Sequence, residues 1–210
     1  MKKVYLVRHG ETFHNQKGLL QDGTTQLSEL GESQAEQVAK RLQSLDFQHL
    51  IVSDYERTKQ TAQPIQRLTN VETVFSPMFR EIRRPSEFFH KLRSSAEVQN
   101  FMKQEFENLV SDPTARHSDE ENFVDVSKRA KEAFEYLKKI EGDIVVVSHG
   151  AFIRLLTAQV ASGFSLDGPM WQKMSRGFYT SNTGITTLEY NEDNDHWRIL
   201  TFNDLAHFAE

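Results

Sequence analysis

Two apolar runs at opposite ends of this chain both terminate in His-Gly. Val4-Tyr5-Leu6-Val7 leads into Arg8-His9-Gly10-Glu11-Thr12, and Ile144-Val145-Val146-Val147 leads into Ser148-His149-Gly150. Uninterrupted, β-branched runs of this kind read as strands buried on both faces, which belong in a parallel sheet, and such sheets bind ligands just beyond the carboxyl ends of their strands. His9 and His149 are therefore expected at one crevice. The glycines that follow them, Gly10 and Gly150, are expected to let the backbone turn sharply and come close to a ligand. Arg8 suggests the sign of that ligand, because a guanidinium at a strand end is costly to bury without an anion.

The rest of the chain alternates strand and helix signals, which implies an α/β sandwich: three layers, α/β/α, around a mostly parallel, mixed sheet. Phe13 to Gln26 is polar and reads as loop. Leu30, Val38, Leu42 and Leu45 recur at helical spacing and should bury one helix face. Leu50-Ile51-Val52 is a short strand ending in Ser53-Asp54, with Asp54 placed to cap a helix carrying Arg57, Thr61, Ile65 and Leu68. Residues 71–75 form a third strand candidate. Val126, Ala130, Ala133, Phe134, Leu137 and Ile140 mark another helix, stopped by Gly142. After the second His-Gly run come an apolar helix over 152–160 and two strands, 185–190 and 197–202, whose polar connection predicts a hairpin. No composition shift marks a linker, so residues 1–210 are read as one domain. Residues 83–122 fit the alternation least and read as a variable cap over the site.

Composition removes several function classes. A net charge of −5 disfavours a nucleic-acid-binding face. The absence of cysteine excludes disulfide and thiolate chemistry. No segment approaches about twenty apolar residues, and Met1-Lys2-Lys3 enters a strand without a signal-like stretch, so a cytoplasmic protein without membrane or nucleic-acid partners is expected. The remaining histidines lack metal-ligand spacing: His14, His49, His90, His117 and His196 are expected at the surface, with His207 packed against the domain. Phe75, Phe79, Phe88 and Phe89 read as core or cap packing, and Asp119-Glu120-Glu121 as a solvated helix start.

A phosphate in the crevice would give each of these residues a task. His9 supplies a nitrogen nucleophile that can carry a covalent phosphoryl group. Arg8 and Arg57 can grip its oxygens in forked hydrogen bonds, Arg57 from the first turn of a helix. His149 can donate where charge develops. Glu81, after Phe79-Arg80, is the proton donor for the leaving oxygen, with Glu87 as its rival. Arg83 and Arg84, beside Arg80, Lys91 and Arg93, form a local positive cluster suited to a second negative group on the substrate, or else a solvated face.

Four strings in order, Arg8-His9-Gly10-Glu11-Thr12 with Asn15, Ser53-Asp54-Tyr55-Glu56-Arg57-Thr58 with Thr61-Ala62, Arg80-Glu81-Ile82, and Val147-Ser148-His149-Gly150, resemble the histidine phosphatase superfamily. The resemblance implies a phosphoglycerate-mutase-like fold and a phosphate pocket of Arg8, Arg57 and His149 around a phosphorylated His9, with Glu81 as acid and then base. It also implies pocket positions for Asn15 and Gln21, although Gln21 is followed by Asp22 where the family often has glycine. The activity implied is hydrolysis of a small phosphate ester without metal or other cofactor. Two alternatives stand beside it: a cofactor-dependent phosphoglycerate mutase, whose Glu-Tyr-Arg string is missing here, and a non-catalytic module that binds a phosphorylated ligand.

Overall fold

In the computed structural model, which describes residues 1–209, six strands among the described residues form one sheet in the order β3-β2-β4-β1-β5-β6. The strands are β1 (Lys2–Arg8), β2 (His49–Val52), β3 (Thr73–Phe75), β4 (Ile144–Ser148), β5 (Ile185–Asn191) and β6 (His196–Asp204). The first four run parallel, and β5 and β6 add an antiparallel hairpin at the β1 edge. The two His-Gly strands are neighbours: Val4 to Arg8 of β1 stand opposite Ile144 to Ser148 of β4 in register. The helices are α1 (Phe13–Lys17), α2 (Glu29–Gln43), α3 (Glu56–Thr69), α4 (Ala96–Ser111), α5 (Phe123–Lys138), α6 (Gly150–Ala161) and α7 (Gly168–Gly177).

Strand pleating divides the core into two halves. Val4, Leu6, Ile144 and Val146 face α5 and α6, where Phe134, Leu137, Phe152 and Ile153 are buried. Tyr5, Val7, Val145 and Val147 face the opposite side, with Val38 and Leu42 of α2 and Ala62 and Ile65 of α3. This is the three-layer α/β/α arrangement. Phe134 is edge-on to Phe164 and Trp197, and truncating it to alanine would cost about 3–5 kcal/mol. Lys2, almost wholly buried, donates its ammonium to Leu137 O (3.2 Å), Lys138 O (2.7 Å) and Ile140 O at the carboxyl end of α5, where a cation offsets the helix dipole. No described helix is long and apolar enough to cross a membrane.

Several local expectations fail for identifiable reasons. Residues 13–26 are not all loop: Thr12 and Asn15 form a reciprocal capping box that starts α1. Leu30 lies in α2 but is exposed, because Gly31 and Ala35, not Leu30, turn inward. Asp54 does not cap α3; Tyr55 occupies the cap position without a side-chain bond, and the Asp54 carboxylate is forked onto Arg80. The third strand is shorter than 71–75, and its Phe75 is exposed. The acidic run is not a solvated helix start. Glu120 is buried and accepts from the amides of His117 and Ser118, Glu121 pairs with Arg129, and α5 is capped by Asn122.

Residues 83–122 have a small core of their own, in which Phe88, Val98 and Phe101 pack on Leu20. Their start is tied to the loop after α1 by three backbone bonds, Leu20 N to Lys91 O (3.0 Å), His90 N to Leu20 O (2.9 Å) and Arg93 N to Gly18 O (2.8 Å). Beside them, His90 bonds His14 (2.8 Å) and approaches Asp22 (3.1 Å).

Candidate active site

Because β1 and β4 are paired through Arg8 and Ser148, the next residues, His9 and His149, emerge side by side, with ring centroids 5.3 Å apart. His9 is 3% exposed, and its Nδ1 donates to Gly10 O (2.7 Å), which leaves Nε2 as the nitrogen with a free lone pair. Burial, with Arg57 and Arg8 alongside, holds this imidazole well below the usual histidine value, so it is neutral at pH 7. His149 is fully buried and is lowered in the same way by burial, Arg57 and His9. Its Nε2 meets Ser53 Oγ at 2.8 Å, while its Nδ1 has no partner. With the Ser53 hydroxyl as donor, Nδ1 carries the proton and is a free donor.

The two strand ends are fixed from behind. Gly10 N donates to Thr61 Oγ1 (3.0 Å), Asn182 Nδ2 donates to His9 O (3.0 Å), and Thr183 N donates to Arg8 O (2.9 Å). Neither His-Gly glycine has the positive φ expected of a sharp turn. Gly10 is needed for close approach to protein backbone, since a Cβ there would lie 2.5 Å from Gly31 O of α2. A Cβ on Gly150 would press on Arg8 and Thr180.

Arg57, in the first turn of α3, is 2% exposed and donates to Asp22 O (2.6 Å). Burial pulls its guanidinium down to about 10, with Glu81 opposing that shift, and at pH 7 it stays charged. Arg8 donates to Thr180 O (2.6 Å) and is also lowered by burial. The Nε atoms of both arginines are buried and unpartnered, as is Gln21 Oε1. All three residues line one cavity of about 350 Å³, together with His9 and Asn15. Buried donors without partners in a cavity are an incomplete polar site that an anion would complete. The Asn15 Oδ1 accepts from Thr12 N (3.2 Å), which orients its amide.

Glu81 reaches the same cavity from the loop after β3. Its Oε1 accepts from the amides of Ile82 and Phe152 (both 3.0 Å) and its Oε2 from Ala151 N (3.1 Å), at the amino end of α6. That loop is held by Ser148 Oγ, which donates to Phe79 O (2.7 Å), and by Arg129, which donates to Met78 O and Arg80 O (both 2.9 Å). Glu87 is not brought in: it is exposed and bonded to His117 (2.7 Å). Gly150, Arg83 and Arg84 all line the cavity, but Arg83 is exposed and Arg84 is paired with Glu105.

Sequence reasoning counted Arg93 only within the positive cluster after Glu81 and passed over Arg129, Arg154 and Asn182. Arg93 and Arg154 line the cavity, and no described carboxylate lies within ion-pair distance of either. Arg154 donates to Gly150 O (3.3 Å) and Ser175 O (3.1 Å). Two of the three it missed left a readable trace. Arg129 interrupts the buried stripe of α5, three after Val126 and four before Ala133, and Arg154 is the one charge in the apolar helix that follows His149.

Two neutral imidazoles, the buried guanidinium of Arg57, the half-buried one of Arg8 and the Glu81 carboxyl thus gather at the carboxyl edge of a parallel sheet, an arrangement suited to holding an anion. The chain belongs to the histidine phosphatase superfamily (branch 1), whose model matches residues 4–205. It is 30% identical to a probable phosphoglycerate mutase of Salmonella arizonae, over 99% of this chain and 95% of that one. It is 29% identical to a probable phosphatase of Schizosaccharomyces pombe, over 98% and 94%. Among solved structures, the phosphoserine phosphatase of Entamoeba histolytica in complex with 3-phosphoglyceric acid superposes with a TM-score of 0.78 at 26% identity, covering 99% of each chain. The mycobacterial glucosyl-3-phosphoglycerate phosphatase shares the fold, with a TM-score of 0.81 at 24% identity over 97% and 99%.

Proposed function

We propose that this enzyme hydrolyses a phosphate monoester through a phosphohistidine on His9. The observation that carries the reading is the neutral His9 imidazole, with Nδ1 tied to its own loop and Nε2 free, set between Arg8 and Arg57 whose Nε donors lack partners. The phosphate oxygens take up those donors and the Nδ1 proton of His149. The Nε2 lone pair attacks phosphorus, the ester P–O bond breaks, and Glu81 gives its proton to the departing oxygen. Glu81 then accepts a proton from water as that water attacks phosphorus, the N–P bond breaks, and phosphate leaves with His9 restored. Two guanidiniums and the Nδ1–H of His149 supply the positive field around the transferring group, so turnover is expected to survive exhaustive chelation. Loss of activity to a chelator and its return with a divalent ion would overturn this part.

The decisive experiment stops turnover in strong base and locates the phosphoryl group by mass spectrometry. Modification of the peptide containing His9, lost on exposure to acid, is expected; phosphate on another residue removes the assignment. Similarity to a probable phosphoglycerate mutase supports a second reading, in which the phosphoryl group returns to another hydroxyl of the substrate. Incubation with 3-phosphoglycerate separates the two: inorganic phosphate means hydrolysis, and 2-phosphoglycerate without phosphate release means transfer. A purely binding module has no use for a carboxyl beside the leaving group.

A further inference from the structure

A second cavity, of about 390 Å³, lies beside the first, and Ile82, Arg84, Ala151 and Arg154 line both. Its position relative to Glu81 is informative. Ile82 follows Glu81 in the chain, and Ala151 donates its amide to the Glu81 carboxyl, so the shared wall begins at the group placed to protonate the leaving oxygen. Whatever is esterified to the phosphate must depart on that side.

The lining tells what fits there. Phe101, Met102, Phe106 and Leu109 of α4, Phe123 at the start of α5 and Trp171 of α7 contribute apolar surface. The charged groups around them are already satisfied within the protein. Arg84 pairs with Glu105, Arg116 with Asp125 (2.6 Å) and Glu121 with Arg129 (2.7 Å), and Arg176 lies over the Phe106 ring at 4.0 Å. Glu120 is occupied by backbone amides, and Arg154 by carbonyls. An incoming polar group would have to break one of these contacts, whereas an alkyl or aryl group gains from displacing water.

We infer that this chamber receives the organic part of the substrate, and that the enzyme prefers monoesters carrying an apolar alkyl or aryl tail over compact, multiply charged ones. The inference rests on the phosphatase reading above and narrows its substrate class. In a series of n-alkyl phosphates from ethyl to hexyl, kcat/KM should rise about fourfold per methylene once the chain passes the first cavity, and level off when the chamber is full. Met102→Lys, which places a charge in the chamber, and Ala115→Trp, which fills it, should each collapse the hexyl-to-ethyl ratio to within about threefold of unity. The same series of alkylphosphonates, which cannot be hydrolysed, should show the matching trend in Kd by calorimetry, independent of turnover. Release of phosphate that ignores chain length, or a ratio preserved in both folded variants, overturns the chamber and leaves the phosphatase reading standing. Tail-dependent binding of the phosphonates without phosphate release from any ester does the reverse.

Discussion

The sheet edge and the segment 83–122 treat their polar groups in opposite ways. At the sheet edge, His9, Arg57 and His149 are buried and Arg8 is half-buried, and several of their polar atoms lack any partner inside the protein. In the segment 83–122, Arg84, Glu105, Arg116, His117 and Glu120 are all engaged with other side chains or with nearby backbone, and the second cavity they border takes much of its lining from apolar side chains. A region that keeps donors unsatisfied is built to receive charge. A region that satisfies its own charges is built to receive bulk.

The sharpest test of the contrast is at His9, the proposed nucleophile. His9→Ala should lower kcat by about 10⁴-fold or more, since a covalent route is lost outright. A residual rate within tenfold of wild type would move the chemistry elsewhere. Next comes Arg57→Ala, which strips one preorganised donor from developing charge and should cost about 2.7–4 kcal/mol in kcat/KM. If its loss appeared only in KM, the guanidinium would be a docking group.

Stability gives a third measure. His9 and His149 are kept neutral in the fold, whereas in the unfolded chain they titrate near 6.5. Below that pH the unfolded state binds more protons, so acidification should reduce stability by about 1.4 kcal/mol per pH unit for each histidine until the depressed folded values are reached. Urea unfolding at pH 7, 6 and 5 measures this slope, and His149→Gln should remove one proton from it. A slope unchanged in that variant would mean that His149 is not the group being held neutral.

The smallest effects are expected at the cap charges. Arg83→Ala, at an exposed cation, should change KM for a doubly anionic ester by less than about twofold. Glu105→Gln uncovers Arg84 and should lower that KM several-fold with kcat little altered, because such contacts bind substrate and transition state alike. A large rise in KM in Arg83→Ala would make the cap a charge reader after all.

What sequence revealed follows the same division. The parallel strands, the helices beside them and the grouping of His9, Arg57, Glu81 and His149 were legible because each depends on a local pattern: an apolar run, a period, a residue next to a strand end. Asp54 was misjudged because its partner, Arg80, is 26 residues away, and no local rule weighs a cap against a distant guanidinium. Glu120 and Glu121 were misjudged for a related reason, since a run of three acids reads as solvated until the loop that folds over it is known. Arg129 and Arg154 were visible as charges on apolar helix faces, and an unexplained charge at a core position is a signal worth following to its partner.

The backbone bonds joining residues 18–20 to 90–93 carry one more consequence. They fasten one rim of the mouth to the loop leading from α1 toward Asp22, whose carbonyl holds Arg57. A segment sewn down there cannot swing as a hinged door without breaking these three bonds, which adjoin the loop that seats Arg57. Under the function proposed above, admission would work as a standing aperture that sorts molecules by shape and lets products leave by the way they came.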